Sequence, residues 1–445
     1  MWIWILNITL LFVVIYHASG LSDLDPLVDS KVGFIRGLRA TDGDYSMYLG
    51  IPYATVNKSN PFGVSAPHPK FMEVFEAFND SAICPQVEEF NNTIVGTLDC
   101  LHVNIYVPDS ANSSNLLPVL VYIYGGLFMI GFSGRYLYGA RYLVKHDIIL
   151  VTFNYRLGPY GFMCLNTPEV PGNQGLKDQQ LAFKWIKNNI EAFGGDSNKI
   201  TICGSSSGAS SADFHLLYSN EQLFHQAILQ SGTALHPWAM LQPDTSAPQK
   251  LSKQLGFTAT NTHEALAFLS TVDSNLMTEA VSELGLKFRP CVEKDFGKVE
   301  KFIYDYPVNI QKPSLGNVPI LLGCNSDEAL AAYDNLTPKD FTNLNEFIIN
   351  RVTTLWANFV KFGDPTPETT DLLPVKWSIV TKDNMYYLTI DMKLKLKKRN
   401  FKARMTFWDL LYKLNQKAQV GYREDTDQNT CAAIPNNYKE YFGNY

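Results

Sequence analysis

The residues with chemistry to offer gather at one turn. Positions 196–208 read DSNKITICGSSSG, an apolar strand running into G-x-S-x-G with Ser206 at its centre. A serine hydroxyl is a weak nucleophile until a base takes its proton and a third group orients that base. Where a serine sits on such a strand-to-helix turn, an acid and then a histidine follow it along the chain. The acid is present as Glu328, in PILLGCNSDEAL. No histidine follows it, because the last of the chain's eight is His263. The turn states an acyl-transfer chemistry and lacks one of its three components.

G-x-S-x-G alone is a weak pattern, since clusters of Ser and Gly are usually loops. Here an apolar strand precedes it and a helical run, ASSADFHLLY, follows, which is the context the motif requires. Gly204 and Gly208 fit because neighbouring elements press against the turn. A second element is the glycine-rich YIYGGLFMIGFSG at 122–134. A turn of this type after a strand can aim backbone N–H groups at a developing alkoxide. Gly126 and Leu127 are the expected donors, with the N–H of Ser207 completing the set. The competing reading is a tight turn with no catalytic duty. Leu127 leaves less room there than Gly or Ala would.

The elements that must hold these residues recur as apolar run, glycine turn and helical stretch. The runs are LPVLVYIYGG (117–126), DIILVTFNYRLG (147–158), KITICGS (199–205), QAILQSG (226–232) and VPILLGCNS (318–326). Near-continuous Val, Ile and Leu suits strands buried on both faces of a parallel sheet. Helical patterns such as 175–195, stopped by Gly-Gly, lie between them. The expectation is an α/β chain with an open, mostly parallel sheet and its site off the carboxyl ends of the strands. YYLTIDM at 386–392 alternates like a late edge strand, with a closing helix expected around 405–413.

Composition narrows the function. The chain has 445 residues, 46% of them hydrophobic and 18% charged, enough for a large core. A formal net charge of −6 argues against nucleic-acid binding. The basic cluster KLKLKKR (393–399) alternates with leucines and reads as a solvated strand edge or loop. Residues 1–20 read as a signal peptide cut after Gly20, with 21–445 as a single domain. No later segment is long and apolar enough to span a bilayer, so the expected product is secreted, extracellular and without membrane attachment. Sequons at Asn57, Asn79, Asn91 and Asn112 agree with that compartment, and Asn335 begins a fifth. Seven cysteines leave at least one unpaired. Cys84 and Cys100 bracket a short polar loop and are the expected disulfide. Cys203, inside the strand before Ser206, is expected as a buried free thiol.

Longer motifs then carry a family resemblance over nearly the whole mature chain. YLGIPYA (48–54) and LDCLHVNIYVP (98–108) are followed by NYRLGPYGF, PGNQGLKDQ, FGGD, QSGTAL, WANFVKFGDPTP and RMTFWDLLY. The series resembles the type-B carboxylesterases, the group that includes cholinesterases and insect juvenile hormone esterases. The resemblance implies an α/β-hydrolase fold and hydrolysis of a small apolar carboxylic ester, with no metal or organic cofactor. It places the nucleophile on Ser206, the acid on Glu328, the oxyanion donors on Gly126, Leu127 and Ser207, and a bridge on Cys84 and Cys100. The position before the nucleophile, commonly Glu in the family, is Ser205 here, which removes a negative charge from the pocket.

The chain departs from the family after Glu328. The family's G-x-x-H segment is missing, and NEFIINRVTTLWANFVKFGDPTP, which resembles a region downstream of it, follows almost at once. On the order of a hundred residues are absent at a junction near 335–350, relative to a domain of ordinary family length. One sheet strand is expected to be missing with them. Exon skipping, a gene-model error and gene decay are the candidate causes. His102, His215, His225 and His236 fall where the resemblance implies structural roles. The expected function is a secreted ester hydrolase with impaired catalysis. The alternatives are a non-catalytic esterase-like binding or adhesion protein and a product without stable function. Oligomeric state is left open.

Overall fold

The computed structural model describes residues 25–88, 91–297, 299–310, 315–326, 328, 346–381 and 384–398. The expected signal peptide, Asn335, the junction at 335–345 and the closing helix at 405–413 lie outside the described residues.

The apolar runs become strands of one eight-stranded sheet. In chain order these are β1 (Leu38–Arg39), β2 (Tyr45–Pro52), β3 (His102–Pro108), β4 (Leu117–Ile123), β5 (Ile149–Phe153), β6 (Gly195–Ser205), β7 (Gln226–Gln230) and β8 (Ile320–Gly323). Their spatial order is β1-β2-β3-β5-β4-β6-β7-β8. The half from β5 to β8 is parallel throughout, and the β1–β2, β2–β3 and β3–β5 pairings are antiparallel. All five residues of β5 are buried, as a parallel strand covered on both faces requires.

Two helices do most of the positioning. Helix α1 (Gln174–Asn189) buries an unusual number of polar residues, and each charged one has a partner. The Arg156 guanidinium donates to both carboxylate oxygens of Asp178, at 2.7 and 2.8 Å, with both side chains inaccessible to water. Lys177 donates to Glu293 at 2.6 Å, also buried. A charge can be buried in this way only because its partner is buried with it. The first pair fixes the turn after β5 and the second ties α1 to the loop after Cys291. Helix α2 (Ser207–Tyr218) begins directly after β6.

Helix α6 (Glu346–Phe362), the last in the described chain, covers the sheet's second face. Helices α3 (Ala247–Gln254), α4 (Thr262–Leu269) and α5 (Ser274–Glu283) precede it. Ala357, Phe359 and Val360 of α6 join a buried cluster with Cys203, Ile228 and Leu321. The outermost strand, β8, pairs only with β7 among the described residues, and of its side chains only Leu321 is buried.

One expectation is corrected here. Tyr386–Thr389 (β9) is not an edge of the main sheet. It forms an antiparallel hairpin with Lys395–Lys398 (β10), a two-stranded sheet of its own. Leu388 and Leu394 pack beside Leu355 and Leu373, so the hairpin is held by α6. Alternation signals a half-buried strand but does not say which element buries it.

Candidate active site

At the carboxyl end of β6 the backbone folds sharply. Ser206 has φ 55° and ψ −121°, a conformation outside the ordinary regions for a residue with a side chain. Such a residue costs about 1–3 kcal/mol and persists only where its surroundings over-determine it. The surroundings are close. A Cβ at Gly204 would lie 2.2 Å from the Gly208 carbonyl oxygen, and one at Gly208 would lie 2.1 Å from that of Ile123. Both positions therefore exclude any side chain. The Ser206 N–H donates to the Gln230 carbonyl at 2.8 Å, tying the turn to β7.

The glycine-rich turn after β4 abuts this serine, since a Cβ on Gly125 would stand 3.1 Å from the Ser206 Cβ. Gly126 (φ 114°), Leu127 (φ 55°) and Phe128 (φ 61°) are all left-handed. The Gly126 carbonyl accepts the N–H groups of Met129 and Ile130, at 3.0 and 3.1 Å, which closes the turn. Among the described residues, the N–H groups of Gly126, Leu127 and Ser207 donate to no protein acceptor. Ser207 opens α2, where the first N–H groups lack an intrahelical partner and carry the positive end of the dipole. The bulk of Leu127 points partly to solvent, with 42% of the residue accessible.

A cavity of about 390 Å³ opens in front of these groups. Gly125, Gly126, Leu127, Ser205 and Ser206 line it together with Gln86, Tyr122, Tyr138 and Phe132. Its size falls within the range of small-molecule sites. The Tyr122 hydroxyl shares hydrogen bonds with Tyr138 and Ser205, and burial, reinforced by Tyr138, pushes its pKa far up. Ser205 and Tyr138 thus share the Tyr122 hydroxyl. Gln86 is fixed by a pair of hydrogen bonds with Gly131, donating to its carbonyl at 2.8 Å and accepting its N–H at 2.7 Å.

Glu328 lies on the loop after β8 and is exposed. Its carboxylate accepts the Ser231 hydroxyl and the Asn325 N–H, the latter at 2.7 Å. Ser231 follows β7 directly, and a Cβ on the next residue, Gly232, would lie 2.1 Å from the Ser206 carbonyl oxygen. The fold therefore brings Ser206 and Glu328 to the same end of the sheet, on neighbouring turns.

No imidazole joins them: among the described residues no histidine hydrogen-bonds to Ser206, and each of those singled out has another partner. His215 is fully buried, with Nε2 3.0 Å from the Gln179 side-chain oxygen. Burial depresses its pKa to about 3. His225 accepts the Ile200 N–H, His236 accepts the Thr233 N–H and stacks on Trp238, and His102 sits 3.6 Å from Asp99.

Among the described residues the cysteines form two bridges. Cys84 is bonded to Cys100, as the sequence leads one to expect, and Cys164 to Cys291, which the sequence leaves open. Nothing in the spacing marks the second pair, whose members are 127 residues apart. Cys203 is a buried free thiol with its pKa raised by desolvation, and Cys324 is exposed. Other residues that spacing alone does not reveal are Gln86, Tyr122, Tyr138 and Ser231. The four sequon residues Asn57, Asn79, Asn91 and Asn112 are all exposed. No helix among the described residues is long and apolar enough to cross a membrane.

A mixed sheet with this strand order, helices on both faces and a serine on a strained strand-to-helix turn define an α/β-hydrolase. The family model "Carboxylesterase family" matches the chain over residues 24–342 and 332–408, so the chain belongs to that family. It is 34% identical over 337 residues to a carboxylic ester hydrolase of Bombus ignitus, covering 73% of this chain and 60% of that one. It is 35% identical over 319 residues to a juvenile hormone esterase of Heliothis virescens, covering 66% and 56%. A bile salt-activated lipase of Mus musculus is 35% identical over 325 residues, covering 67% and 52%. The chain thus spans about half to 60% of the length of these relatives.

Proposed function

We propose that this chain is a serine carboxylic ester hydrolase by descent that still receives an ester at Ser206 but turns it over poorly. The observation that carries this reading is a formed elbow, an uncommitted set of N–H donors and a cavity, with no imidazole on Ser206 among the described residues. Attack by the Ser206 oxygen on an ester carbonyl would break its O–H bond, and the proton needs an acceptor. The negative charge on the former carbonyl oxygen would be met by the N–H groups of Gly126, Leu127 and Ser207. With only water to take the proton, the donors and binding alone leave roughly 10³–10⁴-fold acceleration over water. Glu328 is the acid of this assignment, left without the histidine it would orient.

Support for an internal deletion comes from the break in the family match near 332–342, close to the junction at 335–350. The substrate in this reading is a carboxylic ester, in line with the relatives' names, and the cavity's size and aromatic lining favour a small apolar one. Ser205 stands where the family commonly has an acid, and Glu88 is the carboxylate among the residues that line the cavity. Secretion and glycosylation at Asn57, Asn79, Asn91 and Asn112 belong to the same proposal, supported by the apolar N-terminus and the exposure of all four residues.

The test is reaction with a fluorophosphonate and with a p-nitrophenyl ester, beside an intact family esterase as control. The expected result is Ser206-dependent turnover slower by about two orders of magnitude or more, abolished in Ser206→Ala. Labelling as fast as the control would refute the impairment. Turnover unchanged in Ser206→Ala would refute the site.

A further inference from the structure

Outside the candidate active site, the most unusual surface is the hairpin β9–β10 and the turn that leads into it. The alternation of KLKLKK places Lys393, Lys395 and Lys397 on one face and Leu394 and Leu396 on the other. All three lysines are exposed, and none forms an ion pair among the described residues. Lys398, also exposed, lies with its ammonium 4.8 Å from the Tyr386 ring centroid. The segments that adjoin this hairpin along the chain carry exposed apolar side chains: Ile379 at 85%, Val380 at 59%, Met385 at 56% and Met392 at 53% accessible.

The platform is rigid. Arg351 of α6, itself buried, donates to the carbonyls of Leu372, Asp391 and Met392, at 2.9, 2.5 and 3.0 Å. Those bonds pin the turn that presents Met392 and Lys393. Thr381 and Asn384 exchange backbone hydrogen bonds at 3.0 and 3.2 Å. The apolar tips are therefore held in water at a continuing hydration cost.

We propose that this face docks on an anionic phospholipid surface. Charge complementarity selects the partner: the cluster of lysines is set in a chain whose net charge is −6, so an anionic bilayer attracts this patch and repels the rest. The apolar residues select a bilayer over a soluble polyanion. A polysaccharide or nucleic acid would pair with the lysines but offer nothing to Ile379 and Val380, whereas the headgroup–acyl boundary receives both. The proposal does not depend on turnover at Ser206.

The test is co-sedimentation of the full chain with vesicles of phosphatidylcholine mixed with phosphatidylserine, beside pure phosphatidylcholine vesicles and a heparin column. The expected result is binding to the mixed vesicles alone, weakening as salt rises through the screening range. At about 1 kcal/mol for each lysine near the surface, Lys393→Gln/Lys395→Gln/Lys397→Gln should weaken partition about 100-fold. The corresponding triple Arg variant should retain binding. Ile379→Ser/Val380→Ser should weaken it by about tenfold or more. All these side chains are exposed, so the variants should melt like the parent. Absence of binding to mixed vesicles overturns the proposal. So does an undiminished Gln variant, or heparin retention with an Ile379→Ser/Val380→Ser variant that binds vesicles normally.

Discussion

Strands β6 and β8 carry the two ends of the candidate site, and the fold supports them very differently. β6 has a parallel neighbour on each side, β4 and β7, and residues 200–204 are all buried. It ends in an elbow whose glycines admit no side chain. β8 has four residues and, among the described residues, one neighbour, and three of its side chains are exposed. Ser206 is thus held by contacts on every side, while Glu328 hangs from a loop with two hydrogen bonds. The contrast teaches that a parallel strand draws its rigidity from both edges and both faces. Where one edge is open, the residues beyond it are positioned by local bonds alone.

Three measurements sharpen or break this contrast. The largest effect should come from the buried pair behind the central strands. Asp178→Asn leaves Arg156 charged and inaccessible, and should cost about 3–5 kcal/mol in urea denaturation. Glu328→Gln, at an exposed carboxylate, should cost no more than about 1 kcal/mol. Similar losses for the two would show that the flank is as tightly built as the centre.

Packing offers a second comparison within neighbouring strands. Ile228 of β7 is 1% accessible and Ile320 of β8 is 50% accessible. Ile228→Ala should lose about 2–5 kcal/mol through lost burial and cavity formation. Ile320→Ala should lose under about 1 kcal/mol. If Ile320→Ala proves equally destabilising, another part of the chain covers that edge.

The third comparison is one of slope against pH. His215 has its pKa lowered from 6.5 to about 3 by burial, so the folded chain holds it neutral. Its contribution to stability is complete above the unfolded value of about 6.5 and is lost as pH falls toward 3, because the unfolded state takes up the proton first. The expected loss is about 1.4 kcal/mol per pH unit within that window. His215→Gln should flatten the stability profile between pH 6 and pH 4, with little change in shape above pH 7. An unchanged slope in the variant would mean that water reaches the ring in the native state.

Much of this was legible along the chain because it is written in adjacent residues. An apolar run, small residues at 204 and 208 and a helical stretch specify the elbow at Ser206. The same holds for the turn at Gly126 and for the short loop between Cys84 and Cys100. The hairpin was half legible: Leu388, Leu394 and Leu396 announce a strand with one buried face, but not that Leu355 of α6 would bury it. The partners of Lys177 and Asp178 were not legible, since a charge pair in a helical stretch reads as solvated surface until the sheet closes over it.

The order of residues by itself determined the strands, the strained serine turn, the uncommitted donors beside it and the lack of any histidine after Glu328. All of these follow from neighbours in the chain acting through sterics and backbone geometry. Only the tertiary structure decided that Cys164 meets Cys291, that Tyr122 meets Ser205 and that β8 pairs with β7. Those outcomes depend on contacts between segments far apart in the chain. Their free energy arises only when burial brings the segments together, and no spacing within either segment encodes it.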